Sequence, residues 1–131
     1  NFLKSMLKLA DGRETIQVVI DQIGTPTYGG DLATSIIRLA EAEAVSGMYH
    51  YAGGRACSWF EFSQAIFAGL SKLRPEWRTP RVLPVTATEY PGVATRPAYA
   101  VLDDTKLRVC LPRVTGDWEL AIEAVMPVLT E

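Results

Sequence analysis

Apolar residues along this chain switch repeatedly between two spacings, and that alternation limits the architectures open to it. Phe2, Leu3, Met6, Leu7 and Ala10 recur at the interval of a helix face, and Asp11-Gly12 supplies the glycine favoured just past a helix end. Ile16-Gln17-Val18-Val19-Ile20 is short, β-branched and mostly apolar, the pattern of a fully buried parallel strand. A loop marked by Gly24, Pro26, Gly29 and Gly30 follows. Asp31 then stands in an N-cap position before a stripe of Leu32, Ala33, Ile36, Ile37, Leu39 and Ala40. Met48 to Ala52 reads as the next strand, closed by Gly53-Gly54.

Ser58-Trp59-Phe60-Glu61 matches a capping box, which opens a helix through Phe62, Ile66 and Leu70 that Arg74-Pro75 stop. Val82 to Val85 is a short strand, and Pro84, which lacks a ladder donor, favours an edge. Thr86 to Glu89 has the form of a second capping box, cut short by Pro91. The last helix is predicted to start near Asp117 and to carry Trp118, Ala121, Ile122, Val125 and Leu129, with Pro127 kinking or ending it.

The order α-β-α-β-α-β-α predicts an α/β fold with a parallel sheet and right-handed crossovers. Repeats, low-complexity stretches and Pro/Ser-rich linkers are absent, and 131 residues suit one domain. Three strands are thin for a complete sheet. At least one flank therefore expects further strands, and its exposure predicts self-association, with a homodimer as the simplest partner state.

Composition removes several function classes. Apolar residues make up 48% and charged residues 21%, which suits a folded globular chain and not a disordered one. A net charge of −2 offers no basic field for nucleic acid. No apolar run approaches the ~20 residues of a membrane-spanning helix, and no signal-peptide pattern opens the sequence. Cys57 and Cys110 form no C-x-x-C pair and read as reduced structural thiols of a cytoplasmic protein. With His50 the single histidine, soft ligands are too few for a closed zinc site, and no metal is expected.

Several short runs, taken in order, carry a family resemblance. They are Asp21-Gln22-Ile23-Gly24-Thr25-Pro26-Thr27, Asp31-Leu32-Ala33, Tyr49-His50-Tyr51-Ala52-Gly53, Cys57-Ser58-Trp59-Phe60-Glu61-Phe62, Arg96-Pro97-Ala98-Tyr99, and Leu102-Asp103 with Lys106-Leu107. None is diagnostic alone. The ordered set resembles dTDP-4-dehydrorhamnose reductase, an extended short-chain dehydrogenase/reductase, from Asn1 to the helix containing Trp118.

The resemblance implies that residues 1–131 are the C-terminal portion of a Rossmann-like NAD(P)-binding fold, carrying the small substrate-binding lobe. The cofactor half would lie upstream of the residue matching Asn1. A sequence that opens at Asn1 with neither initiator methionine nor tag also reads as a fragment. NADPH or NADH would be bound mainly by the absent half. Two checks agree. No G-x-G-x-x-G run is present to cradle a pyrophosphate. Nor does a lysine stand four residues after Tyr28, Tyr49, Tyr51, Tyr90 or Tyr99, as the family's proton-donating tyrosine requires. No catalytic residue is therefore assigned.

The implied reaction is reduction of the C4 keto group of dTDP-4-dehydro-6-deoxy-L-mannose to dTDP-L-rhamnose, and the implied partner of this chain is the dTDP-sugar. Asn1 and Phe2 resemble the step that opens a helix under the bound nucleotide-sugar, where a side-chain amide and a helix N-terminus favour diphosphate. Gln22 and Thr25 lie on the loop after a strand's carboxyl end, where open α/β sheets place ligands. Arg96 precedes Pro97, and its guanidinium fork suits a diphosphate. Ala100 departs from the family, in which many members place a serine.

Each of these has a plainer structural role open to it: an N-cap and a core aromatic, a tight loop, a solvated arginine or one paired to Asp103. Trp59, Phe60, Phe62 and Trp118 are expected in the core, His50 as a satisfied structural histidine, and Glu41, Glu43 and Glu123 on solvated faces. Two other readings share the pattern. One is a sugar-nucleotide epimerase or dehydratase of the same superfamily; the other is a reductase-like regulatory subunit of methionine adenosyltransferase.

Overall fold

Helix α1, Phe2–Ala10, starts where Asn1 turns its side-chain oxygen onto the amide of Lys4, at 3.0 Å. The computed structural model describes residues 1–42, 46–90, 95–112 and 116–130. Leu3, Met6 and Ala10 bury the inner face of α1, and Gly12 takes φ +73° to turn the chain into strand β1, Thr15–Val19. β1 pairs in parallel with the later strand β4, Arg81–Val85, Ile16 opposite Val82 and Val18 opposite Pro84. Among the described residues β4 has no second neighbour, so the missing amide of Pro84 faces no ladder there.

Two short strands, β2 (Ile23–Gly24) and β3 (Cys57–Ser58), form a separate antiparallel pair. Helix α2, Gly29–Glu41, lies between them in sequence. Helix α3, Trp59–Leu73, opens with the full capping box: Ser58 accepts from the Glu61 amide at 3.0 Å, and Glu61 accepts from the Ser58 amide at 2.8 Å. A short helix α4, Thr105–Cys110, precedes the final helix α5, Trp118–Leu129. Asp117 caps α5 by accepting from the amides of Glu119 and Leu120. Pro127 sits in the last turn and the helix runs two residues past it.

The core lies where α1, α3 and α5 meet one face of β1. Ile66 and Leu70 of α3 are fully buried, and Trp118, Ile122 and Met126 of α5 pack on them. Phe2, Trp59, Phe62 and Trp118 form a chain of rings with centroids 4.6 to 6.4 Å apart. The Trp118 indole donates to the carbonyl of Arg55 at 2.8 Å, which satisfies its polar edge inside the core.

The α/β class with parallel strands and flanking helices is the one the alternation predicts, but several details differ. Met48 to Ala52 is no strand. It makes no ladder, and the Lys106 ammonium instead donates to the Met48 carbonyl at 3.0 Å. Among the described residues the parallel sheet therefore has two strands, not three. β1 is only partly covered on its second face, where Gln17 is exposed and Val19 buried, and Ile20 just past its end is exposed.

α2 begins two residues before Asp31, so Asp31 is a first-turn acid and not the cap. The stripe of α2 is also not core: only Ser35 is buried, while Ile36 and Ile37 are 60% and 59% exposed. Thr86 and Glu89 do bond as a capping pair, the Glu89 carboxylate accepting from the Thr86 amide at 2.8 Å, yet they close a turn and not a helix. His50 is exposed. Pro91 and Glu43 lie outside the described residues.

Candidate functional site

The loop from Asp21 to Tyr28 leaves the carboxyl end of β1 and is fastened at both ends. Asp21 turns its carboxylate back to accept from the amide of Ala87, at 2.8 Å, beyond the end of β4. Farther along, Ile23 donates its amide to the carbonyl of Ala98 and accepts from the amide of Ala100, both at 2.8 Å. Ile23 thus bridges in parallel to Tyr99 while its own strand pairs with Cys57 and Ser58 on the other side. Segments some 75 residues apart in sequence are held side by side. Gln22 and Thr25 flank one side of this bridge and Arg96 lies two residues before Ala98 on the other.

Past Thr25 the loop turns against the backbone of Gly53. A methyl group placed on Gly53 would overlap the Pro26 carbonyl, so this approach needs glycine. The same contact sets the position of Pro26 to Gly29, which form one wall of a cleft of about 440 Å³. Asn1 and Phe2 form the facing rim, with Trp59 and Phe62 at the base. Asn1 and Phe2 therefore meet the far half of the loop, while Gln22 and Thr25 lie on its near half and Arg96 on the segment bridged to it at Ile23. The five residues do not line one continuous cavity. The loop is their common element.

The polar groups differ in what they have left to offer. The side-chain oxygen of Asn1 is used by the Lys4 amide, leaving the Asn1 amide group as a donor at the N-terminus of α1. Thr25 is half-buried, and its hydroxyl is buried with no hydrogen-bond partner among the described residues. A group in that position costs ~1–3 kcal/mol unless something completes it. Arg96 is exposed and makes no ion pair among the described residues; Asp103, the alternative partner, accepts from the amide of Thr105 instead, at 2.9 Å.

Trp59 was expected in the core. It is half-buried, packs against the core at its margin with its ring tilted 39° to that of Phe2, and lines the cleft. Its place as the first residue of α3 is the signal that could have shown this, because a side chain there stands at the rim of the core stripe. Glu123 pairs with Lys72 at 3.7 Å on an exposed face, and Glu41 is exposed. Among the described residues no group of His, Cys, Asp and Glu could hold a metal ion.

The paired glycines that the sequence offers, Gly53-Gly54 and Gly30 of Gly29-Gly30, form no pyrophosphate cradle. Gly53 and Gly54 are packed against the backbones of Pro26 and Gly116, and Gly30 lies against the ring of Tyr28. These glycines serve close packing within the chain, and none opens a cradle for pyrophosphate.

The α/β scaffold, with its aromatic cleft beside a doubly fastened loop, is placed in a family by comparison with known proteins. Residues 1–130 match the RmlD substrate binding domain, and the chain belongs to that family. It is 38% identical over 130 residues to a dTDP-4-dehydrorhamnose reductase of Aggregatibacter actinomycetemcomitans, covering 95% of this chain and 44% of that one. It is 42% identical over 104 residues to the spore coat polysaccharide biosynthesis protein SpsK of Bacillus subtilis, covering 78% and 33%.

Among solved structures, a dTDP-4-dehydrorhamnose reductase from Clostridium acetobutylicum superposes with a TM-score of 0.87 at 30% identity, over all of this chain and 44% of that one. The enzyme from Bacillus anthracis, in complex with NADP, gives 0.81 at 36% identity, over all of this chain and 43% of that one. The chain thus spans less than half the length of these relatives. A UDP-glucuronic acid 4-epimerase from Bacillus cereus, at 17% identity and a TM-score of 0.61, shares the fold alone.

Proposed function

We propose that residues 1–131 form the C-terminal, nucleotide-sugar-binding part of an NAD(P)H-dependent dTDP-4-dehydrorhamnose reductase. The whole protein would reduce the C4 keto group of dTDP-4-dehydro-6-deoxy-L-mannose to dTDP-L-rhamnose. The observation that carries this reading is the Ile23 bridge. It brings the Arg96 segment against the Gln22–Thr25 loop, and that loop continues as a wall of the cleft under Asn1 and Phe2. Arg96 binds the diphosphate as a fork of donors, with no competing carboxylate among the described residues. The Asn1 amide and the N-terminus of α1 offer donors to polar groups of the ligand on the cleft side of the loop. Gln22 and the unpartnered Thr25 hydroxyl take polar groups of the ligand, and Phe2 and Trp59 give the cleft apolar surface.

Reduced nicotinamide, held mainly by the part of the protein beyond this chain, would supply the hydride. What this part contributes is position: it holds the sugar's reacting carbon in one place, which lowers the barrier by removing orientational freedom. Free Cys57 and Cys110 support a reducing compartment, and we place the protein in the cytoplasm. Among the described residues no helix is long and apolar enough to cross a membrane.

Calorimetric titration of dTDP into the chain tests this reading. Arg96→Ala should weaken binding by about 10- to 100-fold, the worth of one charge-assisted contact. Equal affinity for wild type and variant would refute the role of Arg96. Absence of any dTDP binding would refute the site.

A further inference from the structure

A second and larger groove opens at the amino-terminal ends of β1 and β4, the end opposite the Gln22–Thr25 loop. Its volume is about 1370 Å³, and it runs between the last turns of α1, the turn into β1, the segment leading into β4 and the end of α5. It adjoins the smaller cleft at Lys4 and Leu129, which border both.

The charge in this groove opposes that of the chain. Lys4, Lys8, Arg13, Arg78 and Arg81 line it, against Asp11 and Glu14 alone, in a chain whose net charge is −2. All five cations are exposed, and none makes an ion pair among the described residues. Outside the groove Arg55, Lys72, Arg74 and Arg108 each meet a carboxylate, while Arg38, Arg96 and Lys106 make no ion pair among the described residues but stand apart from the groove's lining. Like charges held together without counter-charges repel one another, and a concave wall focuses their field. A multivalent anion relieves both.

Trp77 identifies the kind of anion. It lines the same groove, is 43% exposed, and has the Arg74 guanidinium 5.9 Å from its ring centroid. An accessible indole beside a basic wall offers a flat ring a stacking platform within reach of phosphate-binding cations. The groove is local, and the chain outside it is acidic, so a long polyanion would meet repulsion where a compact one would not.

We propose that this groove is a second binding site for a nucleoside triphosphate, with the phosphates on the Lys4, Lys8, Arg13, Arg78 and Arg81 wall and the base stacked on Trp77. It is distinct from the dTDP-sugar cleft and does not depend on the function assigned to that cleft.

Calorimetric titration of ATP into the 131-residue chain at low ionic strength tests the site, with tripolyphosphate as the probe lacking a base. Saturable ATP binding is expected, weakened at least about tenfold by Arg78→Glu or by Arg13→Glu. Trp77→Leu should weaken ATP about tenfold and leave tripolyphosphate unchanged. Circular dichroism checks that each variant is folded, and two separate charge reversals guard against one failing. Saturating dTDP should leave ATP affinity unaltered.

The proposal is overturned by non-saturable ATP heats, or by charge reversals that leave ATP affinity intact. Competition with dTDP would move the ATP to the aromatic cleft and equally overturn it. Tripolyphosphate binding as tightly as ATP, indifferent to Trp77, would make the groove a plain phosphate site. A single-stranded oligonucleotide binding more tightly than ATP would make it a nucleic-acid surface.

Discussion

Replacing Gly53 with alanine should damage stability and ligand binding together, for a reason readable at atomic scale. The φ of Gly53 is not in the left-handed region, unlike those of Gly12, Gly47 and Gly54, so alanine there carries no backbone strain. What it carries is a methyl group that overlaps the Pro26 carbonyl and also approaches the Thr27 Cα. Both neighbours are backbone, and neither can rotate away as a side chain would. Relief requires the Pro26–Thr27 segment to move. Overpacking of this kind costs ~1–3 kcal/mol, and the upper half of that range applies where backbone meets backbone. For a chain of this size that corresponds to a fall in Tm of roughly 6–12 °C.

The displaced segment is also a wall of the cleft, so dTDP affinity should fall with stability. Gly12→Ala is the control. Its φ is +73° and nothing lies within 4 Å of the added methyl, so its cost is conformational alone, about 1–2 kcal/mol. It should leave dTDP binding unchanged. Urea denaturation followed by circular dichroism, paired with dTDP titration, measures both quantities. Wild-type stability and affinity in Gly53→Ala would refute the packing argument, and equal losses of affinity in the two variants would refute its link to the cleft.

Further consequences concern the helix cap, the thiols and the exposed face of α2. Ser58→Ala should cost ~1 kcal/mol of stability by removing the acceptor for the Glu61 amide. Glu61 is held below the usual carboxylate range, first by the backbone amide of Ser58 and then by the Ser58 and Arg55 side chains. Its contribution is therefore present above the unfolded pKa of about 4.3 and lost as pH falls through the lower folded value. Glu61→Gln should destabilise at pH 7 and match wild type in acid, by urea unfolding at each pH.

Cys57 is buried and its thiol is pushed up to about 11, chiefly by desolvation, while Cys110 is exposed. A thiol-reactive chromophore should label one cysteine per native chain and a second only after denaturation; fast double labelling would contradict the burial. Ile36 and Ile37 are exposed on a helix with one buried residue, so the chain should self-associate and Ile37→Glu should reduce it. Light scattering that shows wild type and variant as equal monomers at high concentration would count against this.

Local signals in the sequence located most elements. The capping box at Ser58, the cap at Asp117 and the β-branched run near Val18 each specify structure through a few neighbouring atoms, and the fold uses them. Met48 to Ala52 failed because a strand needs a partner as well as a propensity, and no ladder forms there. The α2 stripe is helical as its spacing predicts, and it lies uncovered. Periodicity shows which face is apolar, not whether anything covers it.

Of the candidate site, the loop residues were visible through their family resemblance. The Ile23 bridge was not, because pairing across some 75 residues leaves no local trace. The basic groove at Trp77 was hidden for the same reason, since it arises from residues distant in sequence, whereas the cleft role of Trp59 had a local sign in its place at the start of α3.

The most direct test follows NADPH absorbance in a longer protein that joins this chain to the portion its relatives have and it does not span. With dTDP-4-dehydro-6-deoxy-L-mannose as substrate, the account predicts oxidation that collapses in Arg96→Ala, while the 131-residue chain alone oxidises none. A well-folded longer protein that leaves NADPH untouched, or an Arg96→Ala variant with full activity, would contradict it.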